Sequence, residues 1–225
     1  GDFFCLPFGG NGDAVNGEKH PPHGETAGSL CKHVATKKTG DVTTLTAMLE
    51  TKVRAGKVTK ELSLVDGQNV VYSRHLIEGF AGKTPLGHHA TLAMPEKEGA
   101  FRIATSPFKF GMVAPGLFSD PKFGEYQALQ IAARFKDLSK VPVAWKGAPD
   151  TDLASLPARK GHADLFLLLN EPTGPAWVTA TRGDEGWVWF ALKDPAVLNG
   201  TLFWLENHGR HGLPWFGRNN CVGIE

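Results

Sequence analysis

Three cysteines in 225 residues, far apart at Cys5, Cys31 and Cys221, are too few and too scattered for a disulfide framework. Charge of one sign is missing as well: 24 Lys and Arg stand against 23 Asp and Glu, a net of +1. That balance gives no long-range pull toward nucleic acid or an anionic membrane. No Lys/Arg cluster with interleaved aromatics occurs either, so the expected partner is neutral, neither nucleic acid nor membrane. No apolar run approaches membrane-spanning length; the longest, "LFLLLN" at 165–170, fits a buried strand. The opening "GDFFCLPFGGNGD" has no basic segment followed by an apolar one. With no signal peptide visible, a cytoplasmic protein is expected, in a chain that reads as cut from a longer one. Nucleotide and nucleophile signatures are absent too. "GGNG" at 9–12 lacks the P-loop Lys-Ser/Thr, and no G-x-S-x-G elbow is present.

What the chain does have is short strands. Residues 42–49, 53–65 and 70–78 are rich in Val, Leu and Thr, and "VTKELSLV" places Val58, Leu62 and Leu64 on a shared face. "DGQN" at 66–69 predicts the turn between two of them. The series continues at 91–94, 100–105, 165–169, 176–181, 186–192 and 201–206, separated by Gly, Pro, Asp and Asn. The chain also opens in a strand and closes at the end of one. Helical periodicity is confined to 125–135, "EYQALQIAARF". These features predict an all-β, antiparallel sandwich or barrel and one domain, 1–225.

Three stretches carry residues able to do chemistry. "HPPHGE" at 20–25 holds His20, His23 and Glu25, donor types that zinc or manganese accepts. Their spacing makes no firm ligand motif, so no metal and no other cofactor is expected. "PLGHH" at 85–89 leads into a strand; adjacent residues there face opposite ways, so only one of His88 and His89 looks into a given pocket. A histidine is useful in such a place because its pKa lies near neutrality. "FWLENHGRHGLPWFGRNN" at 203–220 gathers Trp204, Trp215, Glu206, Arg210 and His208. Flat apolar walls beside fixed polar groups suit the two kinds of surface that a sugar presents.

Taken in order, a Gly/Asn turn, "HGE", strands, "GHH", more strands and a final "GIE" resemble the aldose 1-epimerase, or galactose mutarotase-like, family. The resemblance implies a β-supersandwich whose sheet face binds a carbohydrate. It also implies an isomerase activity of carbohydrate metabolism in which a histidine and a glutamate interconvert sugar anomers. Pro22-His23-Gly24-Glu25 looks like the family's "LHGG" segment, which places His23 among the sugar contacts. His88-His89 is similar to its strand-entry histidine, with His89 the general acid. Glu225, after Cys221-Val222-Gly223-Ile224, matches its C-terminal base; Cys221, Val222 and Ile224 are expected to give it an apolar surround. The family's arginine-bearing segment is replaced here by Gly9–Asn16, leaving Asn11 as a substrate contact and Arg74 or Arg210 as the substitute guanidinium. Glu25, His88, Trp204, Arg210 and Trp215 complete the expected sugar-binding set. Two other readings stand beside this one: a non-catalytic carbohydrate-binding protein of the same fold, and a metal-dependent sugar isomerase or lyase built on "HPPHGE" and His89.

Overall fold

The computed structural model describes residues 1–225. Strands hold 48% of the chain and helix 3%, so the all-β expectation holds. The chain divides into two compact units, Phe3–His88 and a larger one made of Gly1–Asp2 with His89–Glu225.

In the unit Phe3–His88, a short strand β1 (Asp2–Cys5) contributes Phe3–Cys5, and a single helical turn, α1 (Glu25–Gly28), follows a Gly-rich loop. Four strands then form an antiparallel meander: β2 (Lys32–Thr39), β3 (Val42–Thr51), β4 (Gly56–Val65) and β5 (Val71–Glu78). Thr39 pairs with Val42, leaving a two-residue turn in which Gly40 takes φ 57°. The expected turn at 66–69 is present, with Gly67 at φ 78° and the Gln68 N–H bonded to the Val65 carbonyl at 3.0 Å. Apolar packing is thin. Phe4, Leu6 and Val58 are buried together with Phe80 and Leu86 against them, whereas Leu64, Val71 and Tyr72 are exposed. Val58 and Leu64 share a face of β4 as expected, yet only Val58 reaches this core.

The larger unit is built in two layers. One sheet runs β6 (Gly87–Ala93), β15 (Asn220–Ile224), β14 (Gly200–Asn207), β11 (His162–Asn170), β8 (Phe108–Val113) and β9 (Arg134–Phe135). The other runs β10 (Ser155–Leu156), β7 (Phe101–Thr105), β12 (Ala176–Arg182) and β13 (Trp187–Lys193). Alternation decides which side chains meet between them. Val222, Ile224, Phe203, Phe166 and Val113 of the first sheet pack with Phe101, Ile103, Val178 and Ala180 of the second. Phe166 and Phe203 lie stacked at 4.7 Å with ring planes 3° apart.

The helix expected at 125–135 is not formed. Ala132 has φ 58°, a left-handed conformation that ends a right-handed helix. The N–H groups of Ala128 and Leu129 instead bond to the buried Asp164 carboxylate at 3.2 and 2.9 Å. Tertiary hydrogen bonding and burial of Leu129 and Phe135 outweigh the weak local periodicity. Four strands are added to those expected: β2, β8 and the two-residue β9 and β10, of which β9 lies within the stretch expected to be helical.

Candidate functional site

The core takes one face of the β6-β15-β14 sheet, so residues in between project from the opposite face. Registers Trp204↔Gly223 and Gly223↔Thr91 align His89 and Thr91 of β6, Gly223 of β15 with Glu225 just beyond it, and Trp204 and Glu206 of β14. There His89 Nε2 lies 2.8 Å from Glu225 Oε1, with side chains only 6% and 3% exposed. A charge-assisted contact this enclosed holds both groups in one geometry. The other ring nitrogen, Nδ1, is 3.3 Å from Thr91 Oγ1, and Trp204 stands edge-on to the ring at 6.1 Å. Gly223 makes the cluster possible: a Cβ there would stand 2.7 Å from Glu225 Oε1, 3.2 Å from His89 Cε1 and 3.3 Å from Trp204 Cβ. The expected apolar surround of Glu225 is corrected accordingly. Val222 and Ile224 turn into the core, Cys221 lies on the same face but four residues back opposite Glu206, and the carboxylate meets His89 and overhangs Gly223.

The turn after β14 carries Arg210 and Trp215 and is held by two carboxylates. Glu206, fully buried, accepts from the N–H groups of Gly209 and Arg210 through Oε1, at 2.9 Å each. Its Oε2 has no protein partner, and neither has the buried indole Nε1 of Trp204. Burial pushes the Glu206 carboxyl up to about 6, against the pull of those two N–H groups. Glu125 accepts from His211 and Gly212 N–H at 2.8 and 2.9 Å. Burial alone would raise its pKa, but these bonds and the Arg210 charge outweigh it and hold the carboxyl below its ordinary value. Arg210 Nε lies 3.0 Å from Glu125 Oε2, which pairs the charges although the N–H is not aimed for a hydrogen bond. The loop so fixed sets Trp215 5.4 Å from Trp204 at 62°, with the Arg210 guanidinium 5.9 Å from the Trp215 ring.

Five of the expected sugar contacts lie in the other unit, each with partners of its own. His23 Nδ1 is 3.6 Å from Cys5 Sγ, and its ring meets Phe3 and Phe8 edge-on. Asn11 donates to the carbonyls of Pro7 and Pro21 at 3.2 and 2.9 Å, fixing the loop. Glu25 accepts from the N–H groups of Lys52 and Val53 at 2.9–3.0 Å. His88 Nε2 is 3.2 Å from His75 Nδ1, while Arg74 is exposed, 3.6 Å from Glu61. The donors of "HPPHGE" therefore do not converge: His20 turns to Glu18 at 3.0 Å, His23 toward Cys5 and Glu25 to backbone. Glu18 in turn is gripped by Arg54, and this with His20 holds its carboxyl at about 2.

The structure thus brings together His89, Glu225, Trp204, Trp215 and Arg210 from the expected set. Thr91, Gly223 and Glu125 are additions. Thr91 and Gly223 follow from counting two residues along a strand from His89 and Glu225. Glu125 has no such signal, since the N–H groups it holds lie 86 and 87 residues away.

No protein-family model and no curated protein matches this sequence. Among solved structures, the chain is similar to a protein from Klebsiella pneumoniae subsp. pneumoniae MGH 78578, provisionally named an aldose 1-epimerase. The two share 13% identity at a TM-score of 0.59, over 99% of this chain and 53% of that one, so this chain spans about half its length. At that identity the likeness is one of fold, and the fold is the β-supersandwich that the resemblance implied.

Proposed function

We infer that the chain binds a neutral sugar on the face formed by His89, Glu225 and Trp204 and interconverts its anomers. The carrying observation is the enclosed 2.8 Å contact between an imidazole and a carboxylate beside an indole. Trp204 supplies an apolar wall for the C–H face of the ring. The His89–Glu225 contact gives way to two contacts with the sugar. Glu225 takes the proton of the anomeric hydroxyl while protonated His89 gives its Nε2 proton to the ring oxygen. The bond between the anomeric carbon and the ring oxygen breaks, leaving a carbonyl and a ring-opened hydroxyl. Rotation about the adjacent carbon–carbon bond and the reverse transfers close the ring as the other anomer. One proton leaves the sugar and one enters it, so the pair ends ready to reset.

The test is the polarimetric decay of a freshly dissolved pure anomer, corrected for the spontaneous rate. Wild type should accelerate it, and Glu225→Gln and His89→Asn should each lower the rate by about 100-fold or more. The double variant should lose little more, because the two groups act in one relay. Full activity in Glu225→Gln would sink the assignment.

A second reading, sugar binding without turnover, is favoured by the same contact seen differently: each member of the pair already satisfies the other. Calorimetric binding of an aldose with no acceleration of its mutarotation would select it.

A further inference from the structure

The sheet face that carries the His89–Glu225 pair does not end at Trp204. From Glu225 back to Cys221 along the strand is four residues, about 13 Å at the usual rise. Cys221 pairs across to Glu206, so a second polar centre stands at that distance from the first. Flat groups join the two. His89 and Trp204 are 6.1 Å apart, Trp204 and Trp215 5.4 Å, and Trp215 and the Arg210 guanidinium 5.9 Å. Trp204 and Trp215 meet at 62° and make a corner of two apolar walls. A pyranose is about the size of one indole. One held by the His89–Glu225 pair would meet Trp204 from the His89 side, with the side of Trp204 toward Trp215 and Arg210 still to be met.

Across the sheet toward β8 the face is apolar. Across the sheet from Trp204 and Glu225, the same face presents Leu202, Leu165, Leu167 and Met112, which offer hydroxyls nothing to bond. Along the strand the opposite holds. Trp204 Nε1 is a donor without a partner and Glu206 Oε2 an acceptor without one. A hydroxyl, which both donates and accepts, matches that combination. Both atoms are enclosed, so they are reached only with a shift of neighbouring side chains.

On the sugar reading given above, we propose that the site takes the reducing end of an oligosaccharide, with the next sugar unit in the Trp204–Trp215 corner beside Arg210. The reducing end is required at His89 and Glu225 because only a free anomeric hydroxyl gives up the proton. The second unit gains an aromatic wall and a guanidinium, the two contacts that its C–H face and its hydroxyls call for.

Isothermal titration calorimetry of the full chain with glucose, cellobiose, maltose and lactose tests this. At least one disaccharide should bind about tenfold or more tightly than glucose, the scale of one aromatic contact. Trp215→Ala should bring the disaccharide-to-glucose affinity ratio close to one, and Trp215→Phe should restore part of it in a chain whose circular dichroism is unchanged. In the polarimetric assay the preferred disaccharide should show the lower KM at similar kcat. Equal affinity for glucose and all three disaccharides overturns the extended site and leaves the sugar reading standing. Binding of none of the four overturns both.

Discussion

In the unit Phe3–His88, polar side chains do the holding: Arg54 grips Glu18 through two nitrogens, Glu25 caps the N–H groups of Lys52 and Val53, and Asn11 ties Pro7 to Pro21. In the larger unit the holding is done by an apolar interior between two sheets, centred on stacked Phe166 and Phe203. Its polar residues staple loops as well, as Asp164 and Glu125 do, but not all of them are spent that way. His89 and Glu225 face each other on the side away from the core, and Glu206 keeps one oxygen without a partner. The contrast teaches where to look for chemistry. A polar group whose hydrogen bonds all go to its own loop is scaffolding, however catalytic its residue type. A polar group enclosed beside an independent core, with bonding capacity left over, is available to a ligand.

The largest expected effect separates the two ways of holding. Phe203→Ala should cost about 3–5 kcal/mol, and Leu64→Ala, on an exposed face of the meander, about 0.5 kcal/mol or less. Urea unfolding followed by tryptophan fluorescence reports the larger unit, because all six tryptophans lie within it. Circular dichroism reports the strands of both. Equal losses for the two substitutions would erase the contrast.

Gly24→Ala probes the other side. Gly24 has φ +78°, and a Cβ would stand 2.0 Å from the Leu6 carbonyl oxygen and 2.3 Å from its carbon, both backbone atoms that have no rotamer to yield. About 3 kcal/mol should be lost from left-handed strain and overpacking together. The lower midpoint should appear in far-UV circular dichroism before tryptophan fluorescence moves. An unshifted melting curve would mean that the loop is not a structural clamp.

Glu206→Gln sharpens the picture by pH. The folded chain keeps the Glu206 proton up to about 6, whereas an unfolded chain releases it near 4.5. Between those values the folded state binds more protons at Glu206, so this group's contribution is fully present below pH 4.5 and is lost as pH rises through 6, about 2 kcal/mol in all. Denaturation at pH 4 and pH 7 should show a stability change about 2 kcal/mol less favourable in wild type than in the glutamine variant, since carboxylates such as Glu18 and Glu96 titrate alike in both. An identical slope in both would place the titration elsewhere.

How much of this was legible beforehand depends on how far apart the partners lie in sequence. Strands such as β3, β4 and β12 announce themselves through local composition and turns. β2 does not, because Lys32, Lys37 and Lys38 interrupt it and no apolar face alternates through it. The rule that His88 and His89 face opposite ways is purely local and held: one turns to His75, the other to Glu225. The importance given to "HPPHGE" came from residue type, which shows donors and acceptors but not whom they meet. The N–H groups that take up Glu25 are 27 and 28 residues on. The same distance problem hid Glu125, and it turned a stretch with helical spacing into one stapled by Asp164, 35 and 36 residues away.

The contact between His89 and Glu225 has a consequence for affinity. On the proposed reading, the protein carries an internal competitor for its own ligand, since a sugar must first separate the pair. A hydrogen bond to a charged group is worth about 1.5–3 kcal/mol, so this competition weakens apparent binding by roughly 10- to 100-fold relative to an already parted pair. The pair shields both groups from water until a sugar enters and restores the contact as the product leaves. A site closed by its own reactive groups is built for traffic, holding each sugar briefly.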